Sequence, residues 1–336
     1  MKGKFFTALL LMAVMAAFTL SGPLWAAPIH KLKFAGPYSP DHPGSIAQQT
    51  IADEVFAATN GEVEITVFPG GQLGDYTQLY EDVMRGSVDM AWLYVTGQYN
   101  PMLDITSLPY LSTKYEELEG LFSPGSFWYE AYEGAHAKVG VQLLGVYVDG
   151  FSGMIMTKEA NEVYSPTANH KVKIRIPPAD AFKWTMDPLN WNSVTINFSD
   201  LYTAMQTGVV DGYMGSSAIL VYYNFRDLVK YFYPMSIYID NFSYIINSDL
   251  WAKMKPEHQK AIMDACQKQA RLSIELSKSN EDTYRKKLQD EYGVKIPEPT
   301  EEELTNLVNY VRENCWPLFN EAFGEEFMSK LRESVK

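Results

Sequence analysis

Apolar and polar residues alternate along this chain with two different periods, which predict strands and helices in a regular order. Residues 31–35 and 63–68 alternate with a period of two, as expected for strands with one buried face. Helical patterns follow over residues 46–59 and again up to Gly86. This order of strand, helix, strand, helix and strand predicts a parallel, doubly wound sheet in an α/β protein.

The rest of the chain continues in the same way. A strand is expected over residues 139–148, residues 171–176 alternate strictly, and residues 231–246 are strand-like and rich in aromatic side chains. From Pro256 to about residue 292 the composition favours a helix, with no further Gly or Pro. At the rise of an α-helix this segment would be roughly 50 Å long, so we expect it to cross two lobes.

Two segments that start 122 positions apart repeat one pattern. Residues 79–92 read Leu-Tyr-Glu-Asp-Val-Met-Arg-Gly-Ser-Val-Asp-Met-Ala-Trp, and residues 201–214 read Leu-Tyr-Thr-Ala-Met-Gln-Thr-Gly-Val-Val-Asp-Gly-Tyr-Met. In both, the Gly is expected to end a helix in the left-handed conformation, and a short buried strand follows at Val-Asp. Trp92 and Tyr213 then lie near strand carboxyl ends, where open α/β sheets bind ligands. The repeat predicts two similar lobes that face each other.

The amino terminus has the three parts of a secretory signal peptide. Lys2 and Lys4 precede an apolar run over residues 5–20, and small residues follow at Ala26 and Ala27. A membrane anchor is the alternative, but this run is short for a bilayer span. We expect cleavage near Ala26 and an exported mature protein without stable membrane insertion.

Charge and cysteine content restrict the possible partners. The formal charge of −13 becomes −15 when Lys2 and Lys4 leave with the signal peptide. Because nucleic acid and anionic lipid repel so acidic a surface, we expect neither as a partner. Cys266 and Cys315 are the only cysteines, and export leaves open whether they form a disulfide or stay as two buried thiols.

The sequence lacks the motifs of common enzyme and metal-site families. It contains no GxSxG, HExxH, Walker or GxGxxG pattern, and its five histidines are scattered without ligand spacing. We therefore expect a protein without enzymatic activity, cofactor or bound metal. An exported two-lobed enzyme stays as an alternative, which would need a catalytic pair in the cleft.

Arg175 is the strongest candidate for a ligand contact. Apolar and basic residues alternate over residues 171–176, and Arg175 is the last charge before Pro177. A guanidinium at this strand end could bind a carboxylate with two parallel hydrogen bonds. The alternative is a basic strand face exposed to solvent.

Further candidates are aromatic or polar residues near strand ends and in loops. We expect Trp92, Tyr94 and Tyr213 to form the walls of the cleft, with burial in a core as the alternative. The other candidate contacts, some of which could instead cap loops, are Gln72, Asp75, Phe151, Asn192, Ser216 and Asn241.

Four segments together resemble the solute-binding proteins of tripartite ATP-independent periplasmic (TRAP) transporters. They are Phe-Pro-Gly-Gly-Gln-Leu-Gly at 68–74, Gly-Ser-Val-Asp-Met at 86–90, Lys-Ile-Arg-Ile at 173–176 and Phe-Ser-Asp-Leu-Tyr-Thr-Ala-Met-Gln-Thr-Gly-Val-Val-Asp-Gly at 198–212. The last segment is the most specific of the four. Arg175 falls on the family's arginine that pairs with the ligand carboxylate.

The resemblance implies two α/β lobes, a ligand cleft between them, hinge strands and a long helix that bridges both lobes. It also implies a periplasmic protein that captures a small organic acid and delivers it to TRAP membrane subunits, without enzymatic activity. A sensor module that presents its closed form to a receptor is the alternative. The division we predict is a signal peptide over 1–26, a first lobe over 27–148 and about 240–275, and a second lobe over 149–239 and about 276–336.

The chain departs from the family pattern at two places near the expected cleft. After Val-Asp-Gly the family commonly has Gln, Glu or Asn and then Pro, whereas residues 213–216 here are Tyr-Met-Gly-Ser. Before Phe198 the family often has Leu-Gly-Ala-Asn-Pro, whereas residues 189–193 here are Leu-Asn-Trp-Asn-Ser. We therefore predict a ligand with more apolar or aromatic surface than a C4-dicarboxylate.

Overall fold

A computed structural model describes residues 27–334, and the predicted signal peptide lies outside the described residues. Within this range the strands are β1 (His30–Ala35), β2 (Val63–Phe68), β3 (Met90–Leu93), β4 (Val141–Phe151), β5 (Gly153–Met156), β6 (Lys173–Ile176), β7 (Asn192–Thr195), β8 (Gly212–Ser216), β9 (Tyr231–Tyr233) and β10 (Ile239–Asn247). The α-helices of the same range are α1 (Pro43–Ala58), α2 (Tyr76–Arg85), α3 (Tyr115–Phe122), α4 (Phe127–Ala137), α5 (Asp180–Met186), α6 (Phe198–Gln206), α7 (Ala218–Asn224), α8 (Ser248–Lys253), α9 (Pro256–Tyr292), α10 (Glu301–Asn314), α11 (Asn320–Phe323) and α12 (Glu325–Ser334).

These strands form two sheets with the same arrangement. The first sheet has the order β2-β1-β3-β10-β4, and the second has the order β7-β6-β8-β5-β9. In each sheet the first three strands of this order pair parallel with one another. The fourth strand pairs antiparallel with both the third and the fifth. The predicted α/β class and two lobes are confirmed, and β1, β2 and β3 are parallel as predicted. The further strands of each sheet add an antiparallel part that was not predicted. The chain passes from one sheet to the other twice, from β4 to β5 and from β9 to β10. Neither connection contains a helix.

Two neighbouring segments make this connection between the lobes. Only Ser152 separates β4 of the first sheet from β5 of the second, and residues 234–238 separate β9 from β10. Ser152 N donates to Tyr238 O at 2.9 Å, and Tyr238 N donates to Ser152 Oγ at 3.0 Å. These bonds hold the two crossings side by side. Residues 231–246, predicted as one strand-like region, are therefore two strands in different sheets.

The helix α9 has the predicted bounds and bridges the two lobes. Its 37 residues correspond to about 55 Å. In its first half, Lys268 pairs with Glu54 of α1 at 2.7 Å, which ties it to the first lobe. In its second half, the hydroxyl groups of Tyr284 and Tyr223 of α7 lie 3.0 Å apart, which ties it to the helix between β8 and β9 of the second sheet.

The carboxyl-terminal segment contacts both lobes. Leu307 and Val311 of α10 belong to the apolar cluster of the second sheet. From Trp316 onward the chain packs with the first lobe, where the rings of Phe327 and Phe127 of α4 stack at 5.0 Å. The predicted division assigned this whole segment to the second lobe.

The two cysteines are not linked in this structure. Cys266 and Cys315 are free thiols buried in different apolar clusters. Burial raises the pKa of the Cys315 thiol to about 12. Within residues 27–334, none of the helices combines the length and apolar character needed to cross a bilayer.

Candidate functional site

A narrow cavity lies where the two sheets face each other. Its walls come from loops, strand ends and helices of both lobes, and the free volume inside it is about 30 Å³. The residues that line it are Tyr38, Tyr76, Tyr94, Arg175, Pro177, Phe182, Phe198, Gly215, Ser216, Leu220, Asp240 and Phe242.

Arg175 of β6 is the basic residue of this wall, and it is only 3% exposed. Its Nε donates a hydrogen bond to Ile196 O at 2.7 Å, and the ring of Phe198 lies 6.0 Å from the guanidinium carbon. Nη2 is buried without a hydrogen-bond partner, and no carboxylate in the described part of the chain forms an ion pair with this guanidinium. A buried charge without a counter-charge is costly, so the arrangement is suited to an anion in the cavity. A basic face open to solvent is excluded for Arg175.

Tyr76 faces Arg175 from the other lobe, at the first position of α2. Its hydroxyl group is also buried and lies close to the Arg175 guanidinium, but it forms no hydrogen bond of normal length and angle with residues 27–334. Burial raises the pKa of Tyr76 to about 12, against the smaller opposing effect of the nearby Arg175 charge. The phenol is therefore neutral near pH 7 and can donate a hydrogen bond. One anion could accept hydrogen bonds from both lobes at this place.

Aromatic rings from both lobes close the cavity. The ring of Tyr38, in the loop after β1, lies 5.6 Å from the ring of Phe198 in the second lobe. Tyr94, in the loop after β3, lies 6.3 Å from Phe182 of α5. Tyr38 also contacts Phe242 of its own lobe at 5.2 Å. Because these contacts join the lobes directly, the structure represents the closed form.

Asp75 adds a polar contact between the lobes. It is the N-cap of α2, where its Oδ1 accepts a hydrogen bond from Thr77 N at 3.2 Å. Its Oδ2 accepts from Ser199 N at 3.2 Å, in the first turn of α6 in the second lobe. The N-cap of α6, Asn197, makes no side-chain cap of its own. One carboxylate thus caps a helix in each lobe.

The structure brings together some of the residues predicted from sequence. Arg175, Tyr94 and Ser216 line the cavity. Trp92 and Tyr213 are fully buried in apolar cores and do not line it. β3 and β8 extend beyond Trp92 and Tyr213. Residues further along the chain, Tyr94 and Ser216, therefore reach the cavity instead.

The other predicted residues lie outside the cavity wall. Gln72 and Asn192 are exposed. Phe151 is buried against the ring of Tyr115 at 4.8 Å, and Asn241 donates to backbone carbonyls of the first lobe. Asp75 contacts both lobes but is not part of the wall. We do not propose these five residues as ligand contacts.

Sequence reasoning missed most of the wall. The missed residues are Tyr38, Tyr76, Pro177, Phe182, Phe198, Gly215, Leu220, Asp240 and Phe242. The repeat could have identified two of them, because Tyr76 and Phe198 are also 122 positions apart and begin equivalent helices. No feature of the sequence marks Asp240, because it lies in an aromatic-rich strand pattern and has no counterpart in the repeat. In residues 27–334 no group of side chains is arranged to hold a metal ion.

Comparisons with known proteins agree with this architecture. A family model described as bacterial extracellular solute-binding protein, family 7, matches residues 34–321. The C4-dicarboxylate-binding periplasmic protein DctP of Rhodobacter capsulatus is 25% identical over 244 residues, which cover 71% of each chain.

Two solved TRAP periplasmic solute-binding proteins share the fold, each with a TM-score of 0.81. The one from Haemophilus influenzae, with bound L-gulonate, is 21% identical, and the match covers 91% of this chain and 99% of that chain. The one from Desulfovibrio salexigens, with bound orotic acid, is 19% identical, and the match covers 91% and 98%. Because the family model spans most of the sequence, this chain belongs to family 7 of the bacterial extracellular solute-binding proteins, the periplasmic solute-binding proteins of TRAP transporters.

Proposed function

We propose that this chain captures a small monocarboxylate with an apolar or aromatic body in the periplasm and delivers it to TRAP membrane subunits. The observation that carries the proposal is the guanidinium of Arg175, which is buried in a closed cavity without a counter-charge. A ligand carboxylate would supply that charge, with two parallel hydrogen bonds as the favourable geometry.

Lobe closure is the proposed mechanism of capture. Arg175 belongs to the second lobe, whereas Tyr76 and Tyr38 belong to the first. A ligand that touches all three gains contacts only in the closed form, so it shifts the population toward that form. The membrane subunits would then receive the protein in its closed state.

The composition of the wall supports one carboxylate rather than two. Arg175 is its single basic residue, and Asp240 is its single acidic residue. A second carboxylate in the same small space would meet no counter-charge, which is costly when buried. Six of the lining residues are Phe or Tyr. Besides Tyr76, the five whose rings suit an apolar body are Tyr38, Tyr94, Phe182, Phe198 and Phe242.

Two measurements test this function. Mass spectrometry of the denatured protein identifies any molecule retained through purification, and calorimetry compares isocaproate and phenylpropionate with succinate and malate. We expect a retained monocarboxylate and tighter binding of the first pair. Preferential binding of succinate or malate would contradict the proposal, and turnover of a bound acid would favour an enzyme instead.

A further inference from the structure

Asp240 of β10 brings a second ionisable group to the cavity wall, beside the crossing between the lobes. The residue is 6% exposed, and its Oδ2 accepts a hydrogen bond from the Ser217 amide at 2.8 Å. Over residues 27–334, Ser217 is the only hydrogen-bonding partner of this carboxyl group. The other carboxyl oxygen is therefore free to contact a molecule in the cavity.

A second acid lies close to Asp240. Asp149 of β4 is 1% exposed, and its Oδ2 accepts a hydrogen bond from Ser217 Oγ at 2.8 Å, so one serine contacts both acids. His42 Nε2 lies 3.7 Å from Asp149 Oδ1. Burial, and then the charge of Asp149, raises the pKa of Asp240 well above its usual range. Burial and the neighbouring acid therefore favour the neutral, protonated form of Asp240 in the closed form.

The position of the Ser217 amide decides which atom carries this proton. Oδ2 accepts from that amide, so the proton belongs on the other oxygen. A neutral carboxyl group in this orientation donates one hydrogen bond toward the cavity. An oxygen of the ligand can accept it, whereas an ammonium group or a methylene group cannot.

We propose that Asp240 determines specificity by donating a hydrogen bond to a hydroxyl or oxo oxygen of the bound acid, so that the chain selects hydroxy or oxo monocarboxylates. The inference rests on the proposed function, because Arg175 must hold the carboxylate while Asp240 contacts the substituent. The buried, unpartnered Nη2 of Arg175 and hydroxyl of Tyr76 line the same cavity and provide the first contact. A site built around a hydrogen bond discriminates strongly against an analogue that lacks the partner atom.

A matched series of ligands tests the inference by calorimetry. Isocaproate, hydroxyisocaproate, ketoisocaproate and leucine share one carbon skeleton and differ only in the substituent. In the wild-type protein we expect the hydroxy and oxo acids to bind at least about tenfold more tightly than isocaproate, and leucine to gain no such advantage. Isocaproate reports on the proposed function alone, because it lacks the substituent.

Three variants then assign the preference to a residue. Asp240→Leu removes the donor, so the ratio of affinities between hydroxyisocaproate and isocaproate should fall to about one. Asp240→Asn supplies an amide donor in the same place and should recover most of the ratio. Asp264→Leu is the control, because Asp264 is 63% exposed and does not line the cavity, so this change should leave the ratio intact. Ratios within one variant are insensitive to the fraction of folded protein.

The outcomes separate the two proposals. If isocaproate binds but the hydroxy and oxo acids bind no better, the role of Asp240 is overturned and the proposed function survives. An unchanged ratio in Asp240→Leu overturns it as well, as does a clear preference for leucine. If none of the four acids binds while succinate or malate does, the proposed function itself fails.

Discussion

The two lobes have equivalent backbone positions in the same strand register, but they carry different side chains at some of these positions. In the first lobe, Lys33 N donates to Asp89 Oδ2 at 2.8 Å, and in the second, Lys173 N donates to Asp211 Oδ2 at the same distance. Each Asp lies near the end of one copy of the repeated sequence and fixes the start of a strand against its parallel neighbour. The aspartates shared by the two copies therefore have a structural role, because each holds two strands of its sheet together.

Strand pairing extends this comparison to the ligand site. β1 pairs Ala35 with Ala91, and β6 pairs Arg175 with Tyr213, each two residues after the shared Lys and Asp. Ala35 is thus the counterpart of Arg175. Because the first lobe folds with a methyl group at this position, the scaffold does not require a guanidinium there. We therefore assign the charge to the cavity and to the proposed ligand.

Other equivalent positions keep their place and change their chemistry. Tyr94 and Ser216 both follow the shared Asp by the same spacing, and both line the cavity. Tyr76 and Phe198 begin equivalent helices, and both line it too. The repeat therefore determines where the wall is, and the side chains at those positions determine what it binds.

The largest effect on stability is expected when the scaffold itself is broken. Asp89→Ala and Asp211→Ala each leave a backbone amide without its acceptor, which we expect to cost about 1–2 kcal/mol of unfolding free energy. The loss should be greater for Asp211, which also pairs with Lys158 at 2.7 Å. Denaturant unfolding of the ligand-free protein measures both.

The exposed Asp264 provides the control for this pair. Its side chain is 63% exposed, so Asp264→Ala should change stability by less than about 0.5 kcal/mol. If Asp89→Ala and Asp211→Ala behaved like this control, the two aspartates would not be part of a shared scaffold.

A smaller effect is expected from the carboxylate that caps helices in both lobes. Asp75→Ala removes the caps at Thr77 N and Ser199 N, so it should cost about 1 kcal/mol of stability. It should also weaken ligand binding by a few fold, because the contact with Ser199 exists only between closed lobes. Calorimetry and thermal unfolding report the two effects separately.

Asn197→Ala is the matched substitution in the second lobe. Asn197 makes no side-chain cap, so its removal should cost only a few tenths of a kcal/mol and leave affinity unchanged. Equal effects of Asp75→Ala and Asn197→Ala would contradict the asymmetry between the lobes.

Local features of the fold could be predicted because neighbouring residues determine them. The bounds of β2 follow from strict alternation, and those of α9 follow from helix-forming residues between Pro256 and Gly293. Gly86 ends α2 in the left-handed conformation at φ 74°, as the repeat indicated. These elements do not depend on distant contacts.

Features that depend on distant contacts could not be predicted. Alternation places Arg175 on a basic strand face, but residues of α2 and α6 cover that face and bury it. The antiparallel strands join each sheet through pairings far apart in sequence, such as Tyr244 with Trp92. The proximity of Asp240 to Asp149 arises from the same crossing of strands between the lobes.

Arg175 is the residue on which the proposed ligand capture depends most, because we propose that its charge is kept buried for a ligand. Calorimetry on Arg175→Ala, using the monocarboxylate that the wild-type protein binds best, tests it together with denaturant unfolding of the ligand-free protein. We predict a loss of affinity of about tenfold or more and a ligand-free stability within about 1 kcal/mol of wild type or above it, because an unpaired buried charge is removed. Lys173→Ala, on the same strand but outside the cavity, should retain wild-type affinity. Unchanged affinity of Arg175→Ala would contradict the claim.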